Sequence, residues 1–411
     1  MDDTPAARSS RSAPSSDQTN PALLLATKLY IPPPRPNLVA RPRLLARLDA
    51  GQQHPLTLIS APAGFGKTTL LSDWIQHRPA ETRWPVAWLS LDEHDNDPLR
   101  FWSYVIAALE RAHGPLHVSL AEIGTAPLGS PLSEQLLPAI TAMSNALAGA
   151  PGDLTLVIDD YHLIEAPAIH DSLAFLLAHL PPCLHLVIAS RTDPPFSLAR
   201  LRAQGALTEL RTADLRFTPA EAASFLREVM GLHLAPQELA ALEARTEGWI
   251  AGLHLAALSM QGREDIPGFL AAFSGSHLYV LDYLADEVMR RQPEEVQRYL
   301  LRTSILDRLN DSLCDAVTGC QGSRSMLARL EQANLFLVPL DDQRRWYRYH
   351  RLFADVLRER LQQTEPEQLA ELHRRAGAWY ARREMAAEAI DHLLAGGDFA
   401  GAARLVERAG V

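Results

Sequence analysis

Leu56-Thr57-Leu58-Ile59-Ser60-Ala61-Pro62-Ala63-Gly64-Phe65-Gly66-Lys67-Thr68-Thr69-Leu70-Leu71 is the stretch on which the reading of this chain turns. A short apolar run of β-leaning residues feeds a loop of small residues. The loop ends in Gly-Lys-Thr-Thr and runs into a helix-forming segment. That strand–loop–helix order is the context a phosphate-binding loop requires. Gly64 and Gly66 let the backbone curl so that successive N–H groups point inward, and the following helix adds its positive N-terminal end. The expected cradle is Ala61, Pro62, Ala63, Gly64, Phe65, Gly66, Lys67, Thr68 and Thr69. Lys67 is placed to reach the β- and γ-phosphates of ATP or ADP, and the Thr68 hydroxyl to ligate Mg²⁺. Ala61 stands where the strict pattern has its first glycine. A methyl group is expected to fit there, because the tightest backbone approach lies nearer Gly66-Lys67. The chain has only two lysines, Lys28 and Lys67, and uses Arg elsewhere, so a Lys at 67 reads as required. An ordinary glycine-rich turn is the competing reading; the strands downstream weigh against it.

Those strands recur with helices between them. Val86-Ala87-Trp88-Leu89-Ser90-Leu91, Leu154-Thr155-Leu156-Val157-Ile158 followed by Asp159-Asp160, Leu184 to Ser190 followed by Arg191, and Ala206 to Leu210 are all buried-type runs. Continuous apolar strands alternating with helices predict a parallel sheet covered on both faces, an α/β P-loop NTPase core. In such sheets ligands bind at the carboxyl ends of the strands. The phosphate loop, Asp159, Asp160 and Arg191 all fall at such ends. Asp159 would hold Mg²⁺ opposite Thr68, directly or through water. Asp160 would orient or deprotonate an attacking water. Arg191 would sense the γ-phosphate through a charge-assisted bond. Lys67, Asp160 and Arg191 are thus the expected catalytic set. Taken singly, an Asp-Asp pair also caps turns and an Arg after a strand is commonly solvated. Ahead of the loop, Thr27 to Pro36 reads as an extended segment stiffened by proline, leading into Asn37 to Leu45, where helical spacing begins and Arg41 is a candidate nucleotide contact. Covering the adenine face and mere packing are both open readings for this arm.

Composition sets bounds. The 411 residues, 47% hydrophobic, suffice for several domains. A net charge of −10 argues against broad attraction to nucleic acid or an anionic membrane. Cys183, Cys314 and Cys320 have no metal-like spacing and cannot all pair, which suits a reducing cytosol and structural use. No apolar run reaches the length of a membrane span.

From Thr218 the pattern becomes helical, with Thr218 as N-cap, Pro219 at the first position and acid in the first turn. Helices are expected through Leu258, with Gly248 and Gly252 marking either close packing or a hinge near the nucleotide. Residues 293–306, 313–317 and 323–332 read as three helices. A hairpin of 335–340 and 345–350 follows, completing a winged-helix plan. Its would-be recognition helix carries Arg324 and Arg329 but also Glu331, a weak basic footprint for DNA. His350 opens the next helix and is either a core histidine or a contact to nucleotide phosphates. Ala-rich helices close the chain in the manner of a helical repeat that one or two hairpins cannot complete alone. The expected division is a disordered tail over 1–22, the P-loop NTPase domain over 23–215, a helical lid over 216–290, a winged helix over 291–365, and the start of a repeat over 366–411. The chain reads as the amino-terminal portion of something longer.

Seven stretches in order carry a family resemblance: Thr27-Lys28-Leu29; Ser60 to Leu71; Trp88 to Asp92 with Asp95-Asn96-Asp97; Val157 to Leu163; Ala189-Ser190-Arg191; Glu247-Gly248-Trp249; and Tyr349-His350-Arg351-Leu352-Phe353. Together they resemble the signal-transduction ATPases with numerous domains, and more closely the large LuxR-type activators of the MalT kind. The resemblance implies an ADP-bound resting state and an ATP-bound, self-associating active state reset by slow hydrolysis. It also implies a winged helix folded over the nucleotide, with His350 at the ADP phosphate. Gly248 to Gly252 stands where related ATPases often carry a Gly-Leu-Pro turn, and the Pro is absent. Relatives continue into a repeat that senses a small-molecule or protein inducer and a carboxyl-terminal DNA-binding domain, neither visible in these residues. A cytoplasmic location without membrane partners follows from the same likeness. Two rival readings are a P-loop enzyme, kinase or motor, whose turnover is itself the output, and a nucleotide-independent DNA-binding or scaffold protein. Lys67, Thr68 and Asp159 together argue against the latter.

Overall fold

The computed structural model describes residues 24–33, 37–78, 84–118, 132–149, 152–263, 265–273 and 278–409. The expected disordered tail (1–22), the Pro34-Arg35-Pro36 end of the proline segment and most of the expected loop near 114–133 lie outside the described residues.

Five strands form one parallel sheet: β1 (Leu56–Ser60), β2 (Val86–Ser90), β3 (Leu154–Asp159), β4 (Leu184–Ser190) and β5 (Leu207–Arg211), in the order β2-β3-β4-β1-β5. Every residue of β1, β3 and β4 is buried, which is why these strands read as unbroken apolar runs with no alternation. β1 lies centrally between β4 and β5, in register Leu56 to Leu186 and Leu56 to Leu207.

The chain divides into two compact units. The first takes the described parts of 1–30, 84–157 and 163–185. Its long helix Pro98–His113 starts on Asp97, whose carboxylate accepts the Arg100 N–H, with Pro98 at the position where a missing N–H costs nothing. That helix buries Phe101, Trp102, Tyr104 and Leu109, and the Trp102 indole donates to Ser172 Oγ at 2.9 Å. Lys28 is buried here. Its ammonium donates to both oxygens of the fully buried Asp95, at 2.8 and 2.6 Å, and lies 2.7 Å from Asp92.

The second unit takes 31–83, 158–162 and 186–411, within the described residues. The Thr218 cap forms as expected: Thr218 Oγ1 accepts the Glu221 N–H and Glu221 returns a bond to the Thr218 N–H. Helical structure does run through Leu258, but it is broken between Thr246 and Ile250. Helix Pro236–Thr246 ends, Glu247 and Gly248 take left-handed conformations, and helix Ile250–Met260 begins anew. The break is where Gly248 packs. A Cβ there would stand 2.6 Å from the Phe217 carbonyl oxygen, so a glycine is demanded by both φ and space. Helices Glu294–Thr303, Asp311–Thr318 and Ser323–Gln332 precede the hairpin of β6 (Leu337–Pro339) and β7 (Tyr347–Tyr349), giving the winged helix. Helices Arg351–Thr364, Pro366–Ala381, Ala386–Ala395 and Phe399–Ala409 follow. Cys183, Cys314 and Cys320 are all free. Among the described residues no helix is long and apolar enough to cross a membrane, and no cluster of three or more His, Cys, Asp or Glu is arranged to hold a metal.

Candidate functional site

β1 delivers the loop into place: the Ala61 N–H still pairs with Ser190 of β4, and the next residues leave the sheet. Gly64 and Gly66 have φ of +79° and +74°, with Gly66 capping helix Lys67–Gln76 in the left-handed conformation that L side chains disfavour. Ala61 is fully buried and needs no positive φ, so its methyl is accommodated as expected. Lys67 folds back over the loop and donates to the carbonyl oxygens of Ala61 (2.8 Å) and Pro62 (3.1 Å). Burial, with the nearby Arg191 charge, pulls its pKa down to about 8 against the opposing pull of Asp160 and Asp159.

Thr68 and Asp159 meet across this site: Thr68 Oγ1 donates to Asp159 Oδ2 at 2.7 Å. Burial and the adjacent Asp160 push the Asp159 pKa up to about 6, while the Thr68 bond works the other way. The hydroxyl and the carboxylate are the donor pair the sequence assigns to a divalent cation, and they are adjacent. Asp160 sits at φ +57° and donates its N–H to Asp159 Oδ1 at 3.0 Å. His162 lies with an imidazole nitrogen 3.9 Å from the Asp160 carboxylate; burial, reinforced by Arg191 and Lys67, lowers its pKa to about 3 and keeps it neutral. Arg191 follows the end of β4, but its guanidinium is already engaged, donating to the carbonyl and the carboxylate of Glu287 at 3.0 and 2.9 Å.

A cavity of about 600 Å³ opens beside Gly64, Gly66, Thr69 and Leu70. Leu38, Val39, Phe217, Phe225 and Leu255 give it apolar walls, which suit a flat heteroaromatic ring next to a phosphate cradle. Arg41 is on its wall, fixed by bonds from Nη2 to the Leu215 and Arg216 carbonyls, with its guanidinium 5.0 Å from the Phe217 ring. Asn37, Leu38, Val39 and Arg41, which follow the expected Thr27 to Pro36 arm, line one side of the cavity.

Two connections were not legible from the sequence. The Trp249 indole donates to the Ala63 carbonyl at 3.0 Å, and the Ala251 N–H donates to the Gly64 carbonyl at 3.0 Å. A Cβ on Gly64 would stand 2.5 Å from Ala251, so this turn touches the loop through a glycine. The missing proline of the Gly-Leu-Pro pattern thus does not keep the turn from the phosphate loop. Second, Asn334, between the winged helix's last helix and its hairpin, donates to Ser60 Oγ and to the Arg191 carbonyl, both at 2.9 Å. The signal for the first was the Trp between two glycines; the second had none.

His350 is buried against Trp249 and Phe336, with ring centroids 6.0 and 5.8 Å away. Its Nε2 pairs with the Thr246 carbonyl at 2.9 Å, while Nδ1 has no hydrogen-bond partner among the described residues. Burial lowers its pKa to about 4 against the attraction of Glu247. Glu247 receives two bonds from Arg348, each 2.8 Å, so the helical segment and the winged helix are pinned together beside this ring.

Comparisons with known proteins agree with this architecture. Residues 285–369 match the family described as the MalT winged helix domain. The chain is 37% identical over 385 residues to the HTH-type transcriptional regulator MalT of Cronobacter sakazakii, an alignment covering 92% of this chain and 41% of the relative. It is 35% identical over 383 residues to the serine/threonine-protein kinase PknK of Mycobacterium tuberculosis, covering 93% of this chain and 34% of the relative. The chain thus spans well under half the length of these relatives. Among solved structures, the Walker-type ATPase PABY2304 of Pyrococcus abyssi superposes with a TM-score of 0.53 at 14% identity, covering 79% of this chain and 97% of that one, which shows a shared fold.

Proposed function

We propose that the chain is a nucleotide switch of the MalT-like regulators, to which it is similar over 92% of its length. ATP or ADP occupies the cavity, with its base between Leu38, Val39 and Phe217, its phosphates in the loop, and Mg²⁺ between Thr68 and Asp159. Lys67 neutralises the phosphates, Asp160 orients the attacking water, and Arg191 reads the γ-phosphate. His350 offers Nδ1 to the phosphate end. The working division is a nucleotide-binding part (23–215), a lid (216–290), a sensing winged helix (291–365) and the start of a repeat (366–411). Hydrolysis is slow and resets the switch; the output is self-association in the ATP state, in the cytosol. An inducer acts through a downstream repeat region, and DNA only through a carboxyl-terminal domain outside these residues.

One observation carries this reading. The carbonyls of Ala63 and Gly64, in the phosphate loop itself, are bonded by Trp249 and Ala251 of the turn that also packs His350. A change of occupant in the loop is therefore felt by the helical segment and the winged helix at once. Sedimentation of the purified protein with Mg²⁺ and either ADP or a non-hydrolysable ATP analogue tests it. Larger species with the analogue alone are expected. Equal sedimentation in both, with rapid ATP turnover, would replace the switch by an enzyme whose output is turnover.

A further inference from the structure

Arg191 follows the carboxyl end of β4, and two residues from later in the chain, Glu287 and Asn334, bind it. Glu287 accepts from its guanidinium through both carboxylate and backbone carbonyl, at 2.9 and 3.0 Å. Asn334 holds its own carbonyl at 2.9 Å. Arg291 lies 3.4 Å from the same Glu287 carboxylate, so that carboxylate serves two guanidinium groups. Glu287 belongs to Ala285–Met289, a single widened turn of helix, a geometry that often accompanies functional positions. The Arg191–Glu287 pair is neither deeply buried nor free: the side chains are 23% and 36% exposed.

We propose that Glu287 sets the preference between nucleoside di- and triphosphate by holding Arg191 in reserve. This rests on the phosphate-binding reading of the loop. A guanidinium presents a planar fork that one carboxylate satisfies and that a terminal phosphate satisfies with more charge. A diphosphate leaves Arg191 with Glu287. A triphosphate brings an anion near Lys67, whose depressed pKa already registers the Arg191 charge, and Arg191 exchanges one partner for the other. Each exchange leaves Glu287 to Arg291 and releases the helix turn that carries it from Arg191, while Asn334 keeps the Arg191 backbone in place. Glu287 therefore taxes triphosphate binding and leaves diphosphate binding untouched.

The experiment compares Glu287→Gln with the native protein, titrating ADP and a non-hydrolysable ATP analogue in Mg²⁺. Gln keeps the shape and removes the charge. The expected result is an affinity for the analogue raised about tenfold, the size of one partly exposed charge-assisted contact, with ADP affinity unchanged. Unchanged ADP binding also reports that the variant is folded. In the Arg191→Gln background the Glu287→Gln change should have no effect on either ligand. Equal shifts for both nucleotides, or none, would overturn the role of Glu287 while leaving the site standing. Native protein that binds neither nucleotide would overturn the site and this role together.

Discussion

The two lysines of this chain are both buried, and they are buried differently. Lys28 is surrounded by carboxylate: both oxygens of Asp95 and one of Asp92 lie within 2.8 Å. Lys67 meets only backbone carbonyl oxygens in direct hydrogen bonds, those of Ala61 and Pro62. A buried ammonium needs compensation. Lys28 has it within the fold, so its charge is spent on holding the Ala26–Leu29 turn to the segment around Asp95. Lys67 has partial compensation, and its pKa falls to about 8 as a result. Asp159 and Asp160 act on Lys67 through space, and among the described residues no carboxylate hydrogen-bonds it, which is the place the proposed phosphate would take. The contrast separates a lysine hydrogen-bonded by carboxylate from one hydrogen-bonded by backbone carbonyls.

Substitution at each lysine should break the comparison in opposite ways. Lys28→Ala leaves the fully buried Asp95 carboxylate with the Asp92 N–H and, at 3.3 Å, Arg100 as partners. Losing the central cation of such a cluster is expected to cost about 3 kcal/mol, read as a lowered midpoint in urea unfolding. ADP affinity should hold in the folded variant. Lys67→Ala is expected to cost little stability, since it removes a strained charge, yet to weaken ADP binding about 100-fold in equilibrium titration, the worth of roughly 2.7 kcal/mol. Identical behaviour of the two variants would erase the distinction.

The smallest effect concerns pH. Asp159 has its pKa raised from 3.8 to about 6, so the folded state holds this proton more tightly than the unfolded chain. Its contribution to stability is present below pH 3.8 and lost as pH rises through about 6. Mg²⁺ needs the carboxylate, so cation affinity runs the other way. It should rise about tenfold between pH 5 and pH 7, and Asp159→Asn should abolish that slope in Mg²⁺ titrations of the nucleotide-loaded protein. A flat profile in the native protein would remove Asp159 from the cation site.

What the sequence disclosed follows from how local each signal is. The loop, its glycines, Lys67 and Thr68 were legible because strand, turn and helix lie within sixteen consecutive residues and the turn demands specific φ values. Asp159 and Arg191 were legible because a parallel sheet puts all strand ends on one side. The Trp249 bond to Ala63 spans 186 residues, and the Trp between two glycines marks the turn but not its partner. Nor does the capture of Arg191 by Glu287, since one charged pair among many Arg and Glu residues cannot be picked out by pattern. Thr27-Lys28-Leu29 and the Asp92 to Asp97 run were visible as separate motifs; only the fold shows that Lys28 is bound by Asp92 and Asp95. The break at Glu247 was hidden because a glutamate at φ +48° does not announce a turn.

The most direct test of the central claim is to denature the protein as purified and run the released small molecules on ion exchange. The account predicts ADP at close to one per chain from the native protein and none from Lys67→Ala. A native protein that releases no nucleotide and takes up neither added ADP nor ATP would contradict it.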